Sequence, residues 1–308
     1  MMSSLDELYR VICSLEAGYP SIDADETWCV FRLTADEYDE FYQRIQRNET
    51  VRCYYEDKIY YDLEPPRAER PRGKYVLRQR GSHFEEYFKA EVTEAVKDEL
   101  TALALRLEKM GDNDTVKELS LVRNGGSPAL ELSVPKGTEN KQRIQRSPDV
   151  TFFYNFRTYF PVLIAEFAYP QQGKNLKSLA DSYIVDSRHR IRCVIGFDLP
   201  KRPRKGRRRD HETPTAVKEG ETRAATVSVW RCAIKSEEGG KEVGTSTCDI
   251  HAVPFRSASG DACNGAVELD ISDFLPHSIA KTLSPSERTI CIPFAKLSEL
   301  LNQAEALI

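Results

Sequence analysis

The run PVLIAEFAY (161–169) is apolar at almost every position and carries one carboxylate, Glu166. It is far shorter than the ~20 residues that cross a bilayer. It does not alternate apolar and polar residues, as a half-exposed strand would. A run of this kind reads as a central strand covered on both faces. Side chains alternate along a strand, so Val162, Ile164, Glu166 and Ala168 point the same way. A carboxylate in that row is costly to bury unless it is paired, hydrogen-bonded or bound to a metal. The fold that buries both faces of such a strand is a mixed α/β layer structure with helices above and below the sheet.

The rest of the chain supplies matching parts. VTFFY (150–154) and IRCVIGFDL (191–199) read as neighbouring strands. Phe84, Phe88, Val92, Val96, Leu100, Leu103 and Leu107 recur at three- and four-residue steps, which predicts one long amphipathic helix over 84–109. Leu176, Leu179, Ala180, Tyr183 and Ile184 form the stripe of a second helix over 174–187. Strands follow at 225–234 and 265–275, and a final strand plus helix at 289–307. Near the N-terminus, WCVFRL (28–33) is a strand, and Thr34 with Glu37 makes a capping box for a helix over 34–47. VRCYYEDKIYYDL (51–63) is expected to be a hairpin turning at Glu56-Asp57. ELSLV and ALELSV are expected to form another around RNGGSP. The expected organisation is an N-terminal layer, 1–70, packed on the edge of a core domain, 71–308, with an exposed loop at about 200–223.

Charge is unevenly spread. The net charge is −4, but KRPRKGRRR (201–209) alone holds Lys201, Arg202, Arg204, Lys205, Arg207, Arg208 and Arg209. Without them the balance is 37 positive against 48 negative, or −11. Most of the surface should repel nucleic acid and one arm should attract it. The arm reads as a signal for a nuclear import receptor, as a set of salt-dependent contacts to DNA phosphates, or as a solvated loop. The eight cysteines show no CxxC spacing and no pattern with the five histidines, so buried reduced thiols are expected rather than zinc. The opening MMSSLDELYR lacks a signal-peptide core. The expected setting is intracellular, nuclear or cytoplasmic, with no membrane association; the oligomeric state stays open.

Chemistry centres on two carboxylates. Ser147-Pro148-Asp149 opens the strand before PVLIAEFAY, and Glu166 lies within that run. If the two strands are adjacent, Asp149 and Glu166 could converge at the sheet's end. There they could hold Mg²⁺, with water and phosphate oxygens completing the shell. The structural alternatives are an Asp149 that caps a turn and a Glu166 paired with an arginine such as Arg192.

SPD (147–149), PVLIAEF (161–167), YPQQ (169–172), LKSLADSYI (176–184), IRCVIGFDL (191–199) and VSVWR (227–231) occur in an order and spacing that resembles the PD-(D/E)XK, restriction-endonuclease-like superfamily. The likeness is to its Uma-type and fungal nuclease-like families and covers roughly residues 50–308. It implies an αβββαβ core and Mg²⁺-dependent phosphodiester hydrolysis on DNA. Asp149 and Glu166 would be metal ligands, and Glu85 from the first core helix a third. Ser82 and Glu85 also fit a plain capping box. Ala168 stands where the family keeps its lysine. Gln171, Gln172 and Lys174 are the local candidates to replace it, and Lys174 equally reads as a solvated helix residue. Asp198 ends a strand either as a polar terminus or as a further site group. The competing class is a non-catalytic, effector-like module that keeps the nuclease fold and enters the nucleus through the basic arm.

Overall fold

The computed structural model describes residues 3–19, 28–66, 70–78, 83–133, 143–155, 158–169, 175–200, 222–236 and 242–307. The elements run α1 (Ser4–Glu16), β1 (Trp28–Leu33), α2 (Ala35–Arg47), α3 (Glu49–Lys58), β2 (Tyr60–Glu64), β3 (Gly73–Arg78) and α4 (His83–Lys109). They continue with α5 (Asn113–Leu119), β4 (Val122–Gly126), β5 (Leu130–Ser133), β6 (Arg143–Arg146), β7 (Val150–Tyr154), β8 (Leu163–Ala168), α6 (Leu176–Asp186) and β9 (Cys193–Asp198). The last are β10 (Ala225–Ser236), β11 (Glu242–Arg256), β12 (Ala266–Asp270), α7 (His277–Ala280), β13 (Thr289–Pro293) and α8 (Phe294–Ala306). The chain is mixed α/β. None of the described helices is long and apolar enough to cross a membrane.

The chain divides into two compact units. One comprises Met1–Gly81 with Ala129–Ser147, the other Ser82–Pro128 with Pro148–Ile308. The first unit therefore runs past residue 70, and it takes back a later segment. Its antiparallel sheet has the order β1-β3-β2-β6-β5. Leu5, Leu8 and Ile12 of α1, Phe41 and Ile45 of α2, and Tyr55 of α3 bury against Phe31 and Tyr75. Tyr61 stacks on Tyr55 and on Tyr75, each at 5.2 Å between centroids, and the hydroxyls of Tyr55 and Tyr75 lie 3.0 Å apart. Thr34 and Glu37 form the expected capping box at α2.

Both expected hairpins are replaced by other structure. Residues 49–58 are helical: the Asn48 side chain accepts the Val51 N–H as an N-cap. Val51 and Tyr55, four residues apart, then bury one face. ALELSV does not pair with ELSLV. Instead β5 pairs with β6 (Leu132 opposite Ile144) in the first unit, while β4 pairs with β7 in the second. The RNGGSP turn signal is local and weak, and long-range strand pairing overrides it.

The second unit holds a six-stranded sheet, β11-β10-β9-β8-β7-β4. β8 runs parallel to β9; the other neighbours are antiparallel. α4 keeps the stripe read from its sequence: Phe84, Phe88, Val92, Val96, Leu103 and Leu107 are all buried. They form one core with Leu163, Ala165 and Phe167 of β8 and with Leu297, Leu300 and Leu301 of α8. α6 covers the opposite face. Gly196 is required there, since a Cβ would stand 2.7 Å from the Trp230 ring and 3.1 Å from Leu176 of α6.

The C-terminal helix is pinned by a buried arginine. Arg256, at the end of β11, has no exposed side chain. It donates from Nε to the Arg223 carbonyl (2.8 Å), from Nη1 to Asn302 (2.9 Å) and from Nη2 to Glu305 (2.6 Å). Arg223 holds the other oxygen of Glu305 at 2.6 Å. Arg256→Met should lower the urea unfolding free energy by about 3 kcal/mol. That is the low end for breaking a buried ion pair, because Arg223 still compensates part of the Glu305 charge. A denaturation midpoint equal to wild type would show that the network contributes no stability.

Candidate active site

Two aromatic residues of α4 fix how that helix meets β8. Phe84 packs edge-on to Tyr169 at 6.0 Å, and Phe88 edge-on to Phe167 at 5.7 Å and to Phe197 at 6.0 Å. Phe167 and Phe197 stack at 4.9 Å across β8 and β9. Glu85 and Lys89 each follow one of the helix anchors by one position. They lie one turn apart and so share a face. Anchoring Phe84 and Phe88 therefore brings Glu85 and Lys89 to the end of β8.

Lys89 meets Asp149 there. Its Nζ lies 3.1 Å from Asp149 Oδ1 and 3.4 Å from Glu86 Oε1. The two partners of the first pair are largely buried, at 17% and 12% exposure. Burial alone would lower the Lys89 pKa. The carboxylates of Asp149, Glu86 and Glu85 more than offset it and hold the ammonium well above its ordinary 10.5. The second oxygen of Asp149 accepts the backbone N–H of Phe167 at 2.9 Å. Asp149 is thus tied to the peptide that follows Glu166.

Glu166 is fully buried within β8, all six residues of which are buried. Its Oε1 accepts the phenol of Tyr183, from α6, at 2.5 Å. Asp149 and Glu166 are therefore held by different helices: one by an ammonium of α4 and a backbone amide, the other by a hydroxyl of α6. All the donors these residues offer are hard oxygens. Two carboxylates are enough for Mg²⁺ when water and substrate phosphate fill the shell. Among the described residues, no group of three or more His, Cys, Asp and Glu side chains is placed to hold a metal ion.

The other sequence candidates fall as follows. Glu85 is buried, and its charge acts on Lys89. Arg192 does not pair with Glu166: its guanidinium donates to the carbonyls of Ser272 (3.3 Å) and Leu275. Ala168 is buried and stands opposite Asp198 in the β8–β9 register, and Asp198 is exposed at the strand end. Gln171, Gln172, Lys174, Ser82 and the basic arm 201–209 lie outside the described residues. Lys89 and the hydroxyl role of Tyr183 were not legible as site features. The available signal was the Glu85-x-x-x-Lys89 spacing, and Tyr183 reads in sequence only as part of an apolar stripe. Comparison with protein-family models, curated proteins and solved structures finds no match to this chain.

Two outcomes test this geometry. Tyr183→Phe removes a hydrogen bond to a buried carboxylate and should cost about 1–3 kcal/mol of stability, read by chemical denaturation. Lys89 has a raised folded-state pKa, so its contribution is complete below the unfolded value of 10.5 and fades as pH rises toward the folded one. The difference in unfolding free energy between wild type and Lys89→Met should be constant from about pH 6 to 9 and shrink only above about pH 10.5. A difference that already collapses by pH 8 would contradict a protonated, ion-paired Lys89.

Proposed function

We propose that this chain is a PD-(D/E)XK, restriction-endonuclease-like phosphodiesterase acting on DNA. Support comes from connectivity: α4, β4, β7, β8, α6 and β9 follow in the order α-β-β-β-α-β, apart from the short α5 between α4 and β4 and the excursion of β5 and β6. The same four strands lie side by side in the sheet as β4-β7-β8-β9. The observation that carries the reading is the Asp149 contact with the Phe167 amide. It sets the carboxylate that precedes β7 against the very stretch of β8 that bears Glu166, as the resemblance requires.

In this reading Asp149 and Glu166 would hold Mg²⁺. Such an ion would supply charge neutralisation at the scissile phosphate and favour deprotonation of the attacking water. The Phe167 amide fixes one Asp149 oxygen, and Tyr183 fixes one oxygen of Glu166. Oriented ligands of this kind commonly affect metal affinity or activity by about 10–100-fold. The arm Lys201, Arg202, Arg204, Lys205, Arg207, Arg208 and Arg209 would add phosphate contacts insensitive to base sequence, or bind an import receptor. Deleting 201–209 should reduce nuclear accumulation of a fluorescent fusion, and accumulation equal to wild type would remove the import role.

The deciding experiment is cleavage of single- and double-stranded DNA with and without Mg²⁺. Asp149→Ala and Glu166→Ala should each lower the rate by about 100-fold or more. Equal rates in wild type and both variants would place any cleavage in a contaminant. DNA binding by the wild type without Mg²⁺-dependent cleavage would favour the non-catalytic module, to which Ala168 in the lysine position points.

A further inference from the structure

The acidic cluster holds a cation of its own, brought from a different element than the one the motif specifies. Position 168 carries a methyl group buried in β8. The ammonium of Lys89, from α4, lies 3.1 Å from Asp149 Oδ1. Glu85 and Glu86 flank it on the same helix, and the Phe84 and Phe88 contacts with Tyr169 and Phe167 prevent the helix from turning it away. We propose that Lys89 is a catalytic residue that takes over the work of the missing strand lysine, placing its ammonium against the phosphate or the attacking water at Asp149.

The chemistry is electrostatic. A lysine at the end of a flexible stem offers three N–H donors; one meets Asp149 and another Glu86, which leaves capacity for a substrate oxygen. Negative charge builds on the non-bridging oxygens as a water oxygen bonds to phosphorus and the P–O bond to the leaving sugar oxygen breaks. A charge placed beforehand in a water-poor site stabilises that build-up without reorganisation. Lys89 remains protonated throughout. The proton from the water leaves to solvent or to a carboxylate, and the leaving oxygen takes a proton from solvent.

This assignment rests on the phosphodiesterase reading, and the test separates the two. Wild type, Lys89→Ala, Lys89→Arg and Asp149→Ala are compared for Mg²⁺-dependent DNA cleavage, for Ca²⁺ binding by calorimetry and for thermal unfolding. Lys89→Met, which keeps most of the stem, replaces Lys89→Ala if the latter does not fold. Lys89→Ala should cleave about 100-fold more slowly. It should bind Ca²⁺ no more weakly than wild type, and its rate should rise with added ethylammonium. Lys89→Arg should retain a larger share of the rate than Lys89→Ala. Asp149→Ala should lose both cleavage and Ca²⁺ binding.

Full cleavage by a folded Lys89→Ala or Lys89→Met, with Asp149→Ala inactive, overturns the role of Lys89 and leaves the phosphodiesterase reading standing. Loss of Ca²⁺ binding in Lys89→Ala, without amine rescue, overturns it too, because Lys89 would then only arrange the ligands. A wild type with no Asp149-dependent cleavage overturns both.

Discussion

Burial of β8 on both faces is the constraint to which the rest of the second unit answers. All six of its residues are buried, and Glu166 is among them. A strand in that position needs a helix on each side, and α4 and α6 supply them. It also needs a partner for its carboxylate, since a buried polar group without a hydrogen bond is costly against the marginal stability of a domain. Tyr183 of α6 provides that partner. The helix that closes one face therefore also donates a hydrogen bond to one oxygen of the carboxylate on it.

Side-chain packing likewise seats α4. Phe84 and Phe88 seat α4 through edge-on aromatic contacts, and the helical period then decides where Glu85 and Lys89 fall. The Lys89–Asp149 pair is mostly shielded from water, so its attraction is screened less than that of a surface pair. Breaking it would leave a poorly solvated Asp149. The same arrangement can serve stability and, in the proposed function, charge stabilisation of a phosphoryl transition state.

The parts that were legible in the sequence are those set by local pattern. The α4 stripe, the capping box at Thr34 and Glu37, the two-sided strand with Glu166 and the neighbouring position of Asp149 all depend on spacing within a few turns or one strand pair. The failures share a different cause. VRCYYEDK looked like half a hairpin because its aromatic and β-branched residues suit strands. The Asn48 cap and the Val51 and Tyr55 face instead make it a helix. ELSLV and ALELSV looked like partners because a turn signal lies between them. Yet β4 and β5 enter different sheets: β4 pairs with β7, beyond two intervening strands, and β5 pairs with β6, the strand that follows it. Arg192 was a plausible partner for Glu166 on charge alone, but its guanidinium is taken by backbone carbonyls.

The sequence by itself determined the fold class, the central strand and the two carboxylates, because hydrophobic periodicity and the cost of burying charge act on each segment wherever it ends up. Only the tertiary structure decided which cation and which hydroxyl meet those carboxylates. Lys89 lies 60 residues before Asp149, and Tyr183 lies 17 after Glu166. Neither meeting follows from spacing. Each results from aromatic packing and strand register that seat α4 and α6 at one particular rotation on the sheet.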